Sequence, residues 1–167
     1  MRFLSASITT LLLVCSLAIA AAQDTAIVLT GKEAARVVPT TYYFEGLSAP
    51  TQMRNSAAAR FGSKRYVIAG LVDTSGYSTE VRAKYQGFFI TDSPITVGGK
   101  DLGTGAYGFG FSDDGKFNIF DVGGNAVMST GATKDTALRR PRPLMMLKEK
   151  DGVRLYAERS YVLIAAK

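Results

Sequence analysis

Apolar positions along this chain fall into two regimes. Near the start they run almost unbroken, through Leu11, Leu12, Leu13, Val14, Leu17 and Ile19. From about residue 26 onward they come in short bursts separated by Gly, Pro, Asp, Asn and Ser, the rhythm of short strands joined by tight turns. Ala26 to Leu29 is a candidate strand. Thr30 and Glu33 then have capping-box spacing, which predicts a helix running to Val38 and stopped by Pro39. Thr41-Tyr42-Tyr43-Phe44 is β-branched and aromatic and reads as strand, broken by Gly46 to Pro50. A strand over 54–61 turns at Gly62-Ser63-Lys64 and returns through Arg65 to Val72, whose nearly continuous apolar run predicts a central strand buried on both faces. Ser78 caps a second short helix, Thr79 to Tyr85. Strands follow at 87–91, 95–97, 105–111, 116–122 and 126–130, with Gly98-Gly99, Asp113-Asp114-Gly115 and Gly123-Gly124-Asn125 as turns. A closing hairpin runs over 144–148 and 153–165 around Asp151-Gly152. The sum is a mainly β fold: a single small antiparallel β-sandwich or barrel with one or two short helices.

The first regime is an export signal. Arg2 is the only charge before the apolar run, and the run exits through Ala20-Ala21-Ala22. A positive start, an apolar stretch and small residues at the exit describe a cleavable signal peptide over residues 1–22, with cleavage after Ala20 or Ala22. A membrane anchor would need about 20 apolar residues, more than are present. Val14, not a small residue, precedes Cys15, which argues against a lipid-modified N-terminus. The working protein is then one β-rich domain, 23–167, placed in the periplasm or secreted.

Composition removes chemistry. The only cysteine is Cys15, inside the signal, and the chain has no histidine and no tryptophan. Histidine-based triads and Cys-His pairs are excluded, as are the usual zinc ligands and thiolate nucleophiles. Neither a metal nor a cofactor is implied, and no catalytic residue is assigned. Catalysis would have to rest on carboxylates, Lys, Arg, Tyr or Ser, and the balance favours a non-catalytic protein. Without disulfides the domain holds together by packing and backbone hydrogen bonding.

The chain has 20 basic and 14 acidic residues. Loss of the signal removes Arg2 alone, leaving a net +5. A moderate positive charge outside the cytoplasm suits anionic envelope polymers or a lipid surface and not nucleic acid. The charge is densest at Arg139-Arg140-Pro141-Arg142-Pro143. Each residue before a proline is driven into extended geometry, so the three guanidiniums fan out along a stiff segment suited to carboxylate, phosphate or sulfate groups. The plainer reading is a solvated connector. A second candidate is the strand Tyr107, Phe109, Phe111, with Gly108 and Gly110 leaving the opposite face bare for a flat ligand or another backbone; aromatic stripes of this kind are otherwise core. A third is the loop Asp73 to Ser78, with Asp73 as an acid or base and Tyr77 as a platform, although turn chemistry alone explains those residues. Asp113-Asp114-Gly115 lacks calcium-loop spacing and reads as a hairpin turn.

In Leu102, Gly105 to Phe111, Leu138 to Leu144, Met53-Arg54-Asn55-Ser56 and Asp73 to Tyr77, the chain resembles small exported bacterial proteins of unknown function. These carry a signal peptide, a G-x-Y strand and a late R-P-x-P-L segment. The resemblance implies export and a small β-rich domain, and carries over no catalytic residue. The expected function is an exported, non-catalytic β-rich domain that binds an anionic cell-envelope component, with ligand-binding candidates Arg139, Arg140, Arg142, Asp73, Tyr77 and Tyr107. Two alternatives stand beside it. One is a small outer-membrane β-barrel, for which many strands are shorter than the ~9–11 residues of a span. The other is a hydrolase built on two converging carboxylates among Glu45, Asp73, Asp121 and Glu158, one of them with a raised pKa. Oligomeric state is not encoded in any pattern of the chain.

Overall fold

The structure, a computed structural model, describes residues 25–167. The signal peptide expected over residues 1–22 lies outside the described residues. Sixteen elements build two antiparallel sheets and two short helices. The first sheet begins with β1 (Ala26–Leu29), β2 (Thr41–Phe44), β3 (Leu47–Phe61) and β4 (Arg65–Val72). It continues through β5 (Gly87–Thr91), β8 (Gly105–Ser112), β9 (Lys116–Phe120) and β10 (Ala126–Gly131). Its order is β1-β3-β4-β5-β8-β9-β10, with β2 paired to the first part of β3. The second sheet is ordered β12-β13-β14-β6-β7, from β6 (Ile95–Val97), β7 (Lys100–Leu102), β12 (Arg142–Glu149), β13 (Gly152–Glu158) and β14 (Ser160–Ala166). The two-residue β11 (Thr133–Lys134) pairs with β14. The helices are α1 (Gly31–Val37) and α2 (Thr79–Lys84).

Period-two alternation explains the layering. Val67 and Ala69 of β4, Phe89 of β5, Phe109 of β8 and Phe117 and Ile119 of β9 face the second sheet and meet Leu144, Met146, Leu155 and Ile164 in one core. The intervening Ile68, Val72 and Phe88 face the other way, into a second core with Val38, Tyr42, Phe44, Tyr77 and Tyr85. The first sheet is thus covered on both faces, which is why β4 reads as an uninterrupted apolar run. The second sheet is covered on one face, and Leu147 and Leu163 on its outer side are exposed. Two facing sheets with an apolar interior form a sandwich, not a closed barrel. The barrel alternative is corrected on that ground: a membrane barrel puts its apolar residues outward and a polar lumen inside, and here the apolar residues lie between the sheets.

Three local expectations also change. Gly46 to Pro50 does not break the chain. Glu45 and Gly46 alone make the turn, with φ of 43° and 83°, the two positive values of a type I′ hairpin. Pro50 then lies inside β3, opposite Thr41. Its missing N–H is tolerated because it sits just before the ladder is interrupted between Thr51 and Ser56. Thr30 occupies the N-cap of α1, but its side chain makes no capping bond, whereas Ser78 Oγ accepts from the Val81 N–H. The closing hairpin is three strands, because a turn at Glu158 (φ 54°) splits the expected 153–165 strand.

Candidate functional site

The arginine segment is a strap anchored at both ends. At its start, Asp135 accepts from the N–H groups of Ala137 and Leu138 through Oδ1 and from the Tyr156 hydroxyl through Oδ2. The Asp135 N–H donates to the Arg159 carbonyl. Arg159 Nη1 donates to the carbonyls of Thr136 and Leu138, the latter at 2.7 Å. At the far end Leu144 is buried in the core. Everything between, residues 139–143, is exposed. Arg139, Arg140 and Arg142 make no ion pair among the described residues, unlike Lys84 with Glu45, Lys116 with Asp114, Arg154 with Glu149 and Lys167 with Asp101. The backbone bends at Arg139 and Arg140 instead of running extended as the prolines led one to expect, and only Arg142 lies in a strand. At the first anchor Tyr156 is fully buried, its ring tilted against that of Tyr161. Burial, foremost, raises the Tyr156 pKa, and the Asp135 carboxylate adds to it.

The strap leads into a corner where the ladders of both sheets are irregular. The β3–β4 register shifts between Thr51 and Ser56, and the β12–β13 register shifts between Arg142 and Met145. Such bulges re-aim side chains and accompany functional sites. Two concavities lie there. A cleft of about 650 Å³ opens between the sheets, with Leu71, Phe111 and Pro143 among its apolar lining and Gln52, Arg82, Lys134 and Glu158 among its polar groups. A smaller groove of about 330 Å³ lies between β1, α1, β3 and β12. Adjacent residues divide between them: Gln52 lines the cleft and Met53 and Arg54 the groove, while Pro143 lines the cleft and Arg142 the groove.

Asp73 and Tyr77 share one loop beside the cleft, whose lining includes Val72 and Thr74, whereas Tyr107 lines neither concavity. Asp73 is exposed and closes its own turn by accepting the Ser75 N–H, which holds its carboxyl below the usual range. Tyr77 is buried, its hydroxyl donating to the Leu47 carbonyl. Tyr107 is half-buried against the core and donates to the Gly103 carbonyl. The glycine face opposite it is filled by the chain itself. A Cβ on Gly108 would stand 2.4 Å from the Phe44 ring, and one on Gly110 would stand 2.0 Å from the Lys84 carbonyl oxygen.

Among the carboxylates, Glu45 and Asp121 approach the same β9–β10 loop. Each is already engaged: Glu45 with Lys84 at 2.9 Å, Asp121 with Asn125 and the Gly123 N–H. The carboxyls with a shifted pKa, Asp73, Asp114 and Asp121, are all lowered, through hydrogen bonds to the charged form. None is a carboxylic acid held protonated for catalysis. No group of acidic residues among the described residues is arranged to hold a metal ion, and no described helix is long and apolar enough to cross a membrane.

Set against protein-family models, curated proteins and solved structures, the chain matches none. The site therefore rests on its own geometry. The arginine strap was visible in the sequence as a charge run. Arg54, Arg82 and Lys134 were not, because each is an isolated base that only the packing of β3, α2 and β11 brings to the same corner.

Proposed function

We propose that this protein is an exported, non-catalytic β-sandwich that binds an anionic component of the cell envelope along its arginine strap. The observation that carries the proposal is the pair of anchors. Three exposed guanidiniums without counter-ions project from a segment pinned at Asp135 and Leu144, so little conformational freedom is lost when they engage a ligand. Unpaired cations on a segment fixed at both ends match a chain of carboxylates, phosphates or sulfates. An anionic polymer fits better than a flat lipid surface, since the exposed residues 139–143 carry three arginines and no aromatic side chain to enter a bilayer. Export is supported by the signal-like N-terminus and by the resemblance to small exported bacterial proteins. The hydrolase reading gains no support, because Asp73 and Asp121 are shifted downward by their own turn hydrogen bonds and Glu45 is paired with Lys84.

Equilibrium binding to polyphosphate, with anionic phospholipid vesicles as the comparison, tests this. Three phosphate contacts predict a loss of affinity of roughly 20- to 40-fold between about 50 and 200 mM salt. The triple variant Arg139→Gln, Arg140→Gln, Arg142→Gln should abolish that salt dependence. Binding that ignores salt, or survives in the triple variant, refutes the proposal.

A further inference from the structure

The 330 Å³ groove beside the strap has a chemistry of its own. Its walls include Leu29 and Leu144, both buried, and Met53 and Met145, which are 40 % exposed and half-buried respectively. Its polar lining includes Arg54 and Arg142, and neither makes an ion pair among the described residues. An open apolar trough that keeps two unneutralised guanidiniums beside it is complementary to a molecule with a tail and an acidic head. Thioethers are flexible and repack around chains of different shape. Clustered thioethers also attract soft cations such as Cu(I), but two guanidiniums oppose a cation there. The volume lies at the low end of the range for small-molecule sites, which suits one chain and not a polymer.

We infer that the groove between β1, α1, β3 and β12 binds a single fatty-acid-type carboxylate, its alkyl tail between Leu29, Met53, Leu144 and Met145 and its carboxylate on Arg54 and Arg142. The inference deepens the anion-binding reading, on which it rests through Arg142. It assigns to the groove a ligand class that the strap alone would not select: an amphiphile, recognised by tail length as well as by charge.

Calorimetric titration of the purified protein with octanoate, decanoate and dodecanoate, each below its micelle concentration, tests it. Affinity should rise about fourfold per added methylene, the worth of burying a CH₂. Dodecyltrimethylammonium should bind at least about tenfold more weakly than dodecanoate, since two guanidiniums repel it. The double variant Arg54→Gln, Arg142→Gln should lose that charge preference and keep the chain-length trend. Both residues are exposed, so the variant is expected to fold, which circular dichroism checks. The chain has no tryptophan, so Met53→Trp provides a single fluorophore whose emission should shift to the blue on adding dodecanoate. Equal binding of the cationic amphiphile, or affinity independent of tail length, overturns the inference. If polyphosphate binds and dodecanoate does not, the groove is refuted and the strap stands. If dodecanoate binds and polyphosphate does not, the groove stands and the strap reading falls. If neither binds, both fall.

Discussion

Tyr42 and Tyr85 are buried, and the Tyr42 hydroxyl has no hydrogen-bond partner among the described residues. Burial, with the neighbouring Tyr77 adding to it, pushes the Tyr42 pKa up to about 12, and Tyr85 shifts in the same direction. A folded-state pKa above the unfolded value of about 10 gives stability that is complete below pH ~10 and is lost as pH rises toward ~12. From neutral pH upward, thermal melts should therefore be flat to about pH 9 and fall steeply between about pH 10 and 12. Tyr42→Phe should reduce that alkaline loss, and at neutral pH it should cost little or stabilise, because it removes an unsatisfied buried hydroxyl. A large neutral-pH destabilisation by Tyr42→Phe would show that the hydroxyl has a partner. Gly110 is the opposite case: its added Cβ would meet backbone, the Lys84 carbonyl, at 2.0 Å. Gly110→Ala should cost about 3 kcal/mol or more, the upper range for overpacking, measured by denaturant unfolding. The alternation of glycine and aromatic was legible in the sequence. What lies on the glycines was not, because Phe44 and Lys84 come from distant parts of the chain.

Element ends separate two predictions that sequence alone would make identical. Thr30 and Ser78 are both good capping residues at the N-cap of a short helix, but only Ser78 accepts a backbone N–H. Ser78→Ala should cost about 1 kcal/mol and Thr30→Ala close to nothing, a difference readable in chemical unfolding. Equal costs would mean that Thr30 caps α1 in solution. The strap's anchor gives another test. Tyr156→Phe removes the bond to the Asp135 carboxylate without changing any charge, and should cost about 1.5–3 kcal/mol. It should also weaken polyphosphate binding if the strap's order matters. Most strands and both helices were legible from pattern, since alternation and turn residues are local. The two hairpin turns led by glutamates were not, because Glu45 and Glu158 adopt a positive φ that their residue type disfavours. At Glu45 tertiary contacts hold the turn: its ion pair with Lys84 and its N–H bond to the Val122 carbonyl.

At the scale of the whole molecule, two cores share the first sheet, and no disulfide can form within 25–167, because the only cysteine is Cys15. A single cooperative melt unaffected by dithiothreitol is expected; a reductant-sensitive melting temperature would point to a form linked through Cys15. The sequence by itself determined the β-rich class, the doubly buried β4, the two short helices, the arginine charge run and the exclusion of histidine chemistry. These follow from residue identity and from spacing along a few neighbours, which the chain carries openly. Tertiary structure alone decided that the sheets form a sandwich, that Tyr77 belongs to the core, and that Asp73 serves its own turn. It alone set Arg54 and Arg142 on one groove beside Met53 and Met145. Those facts depend on which distant segments meet. That residues 54 and 142 border one groove is settled by the summed packing of two sheets, and no local pattern records it.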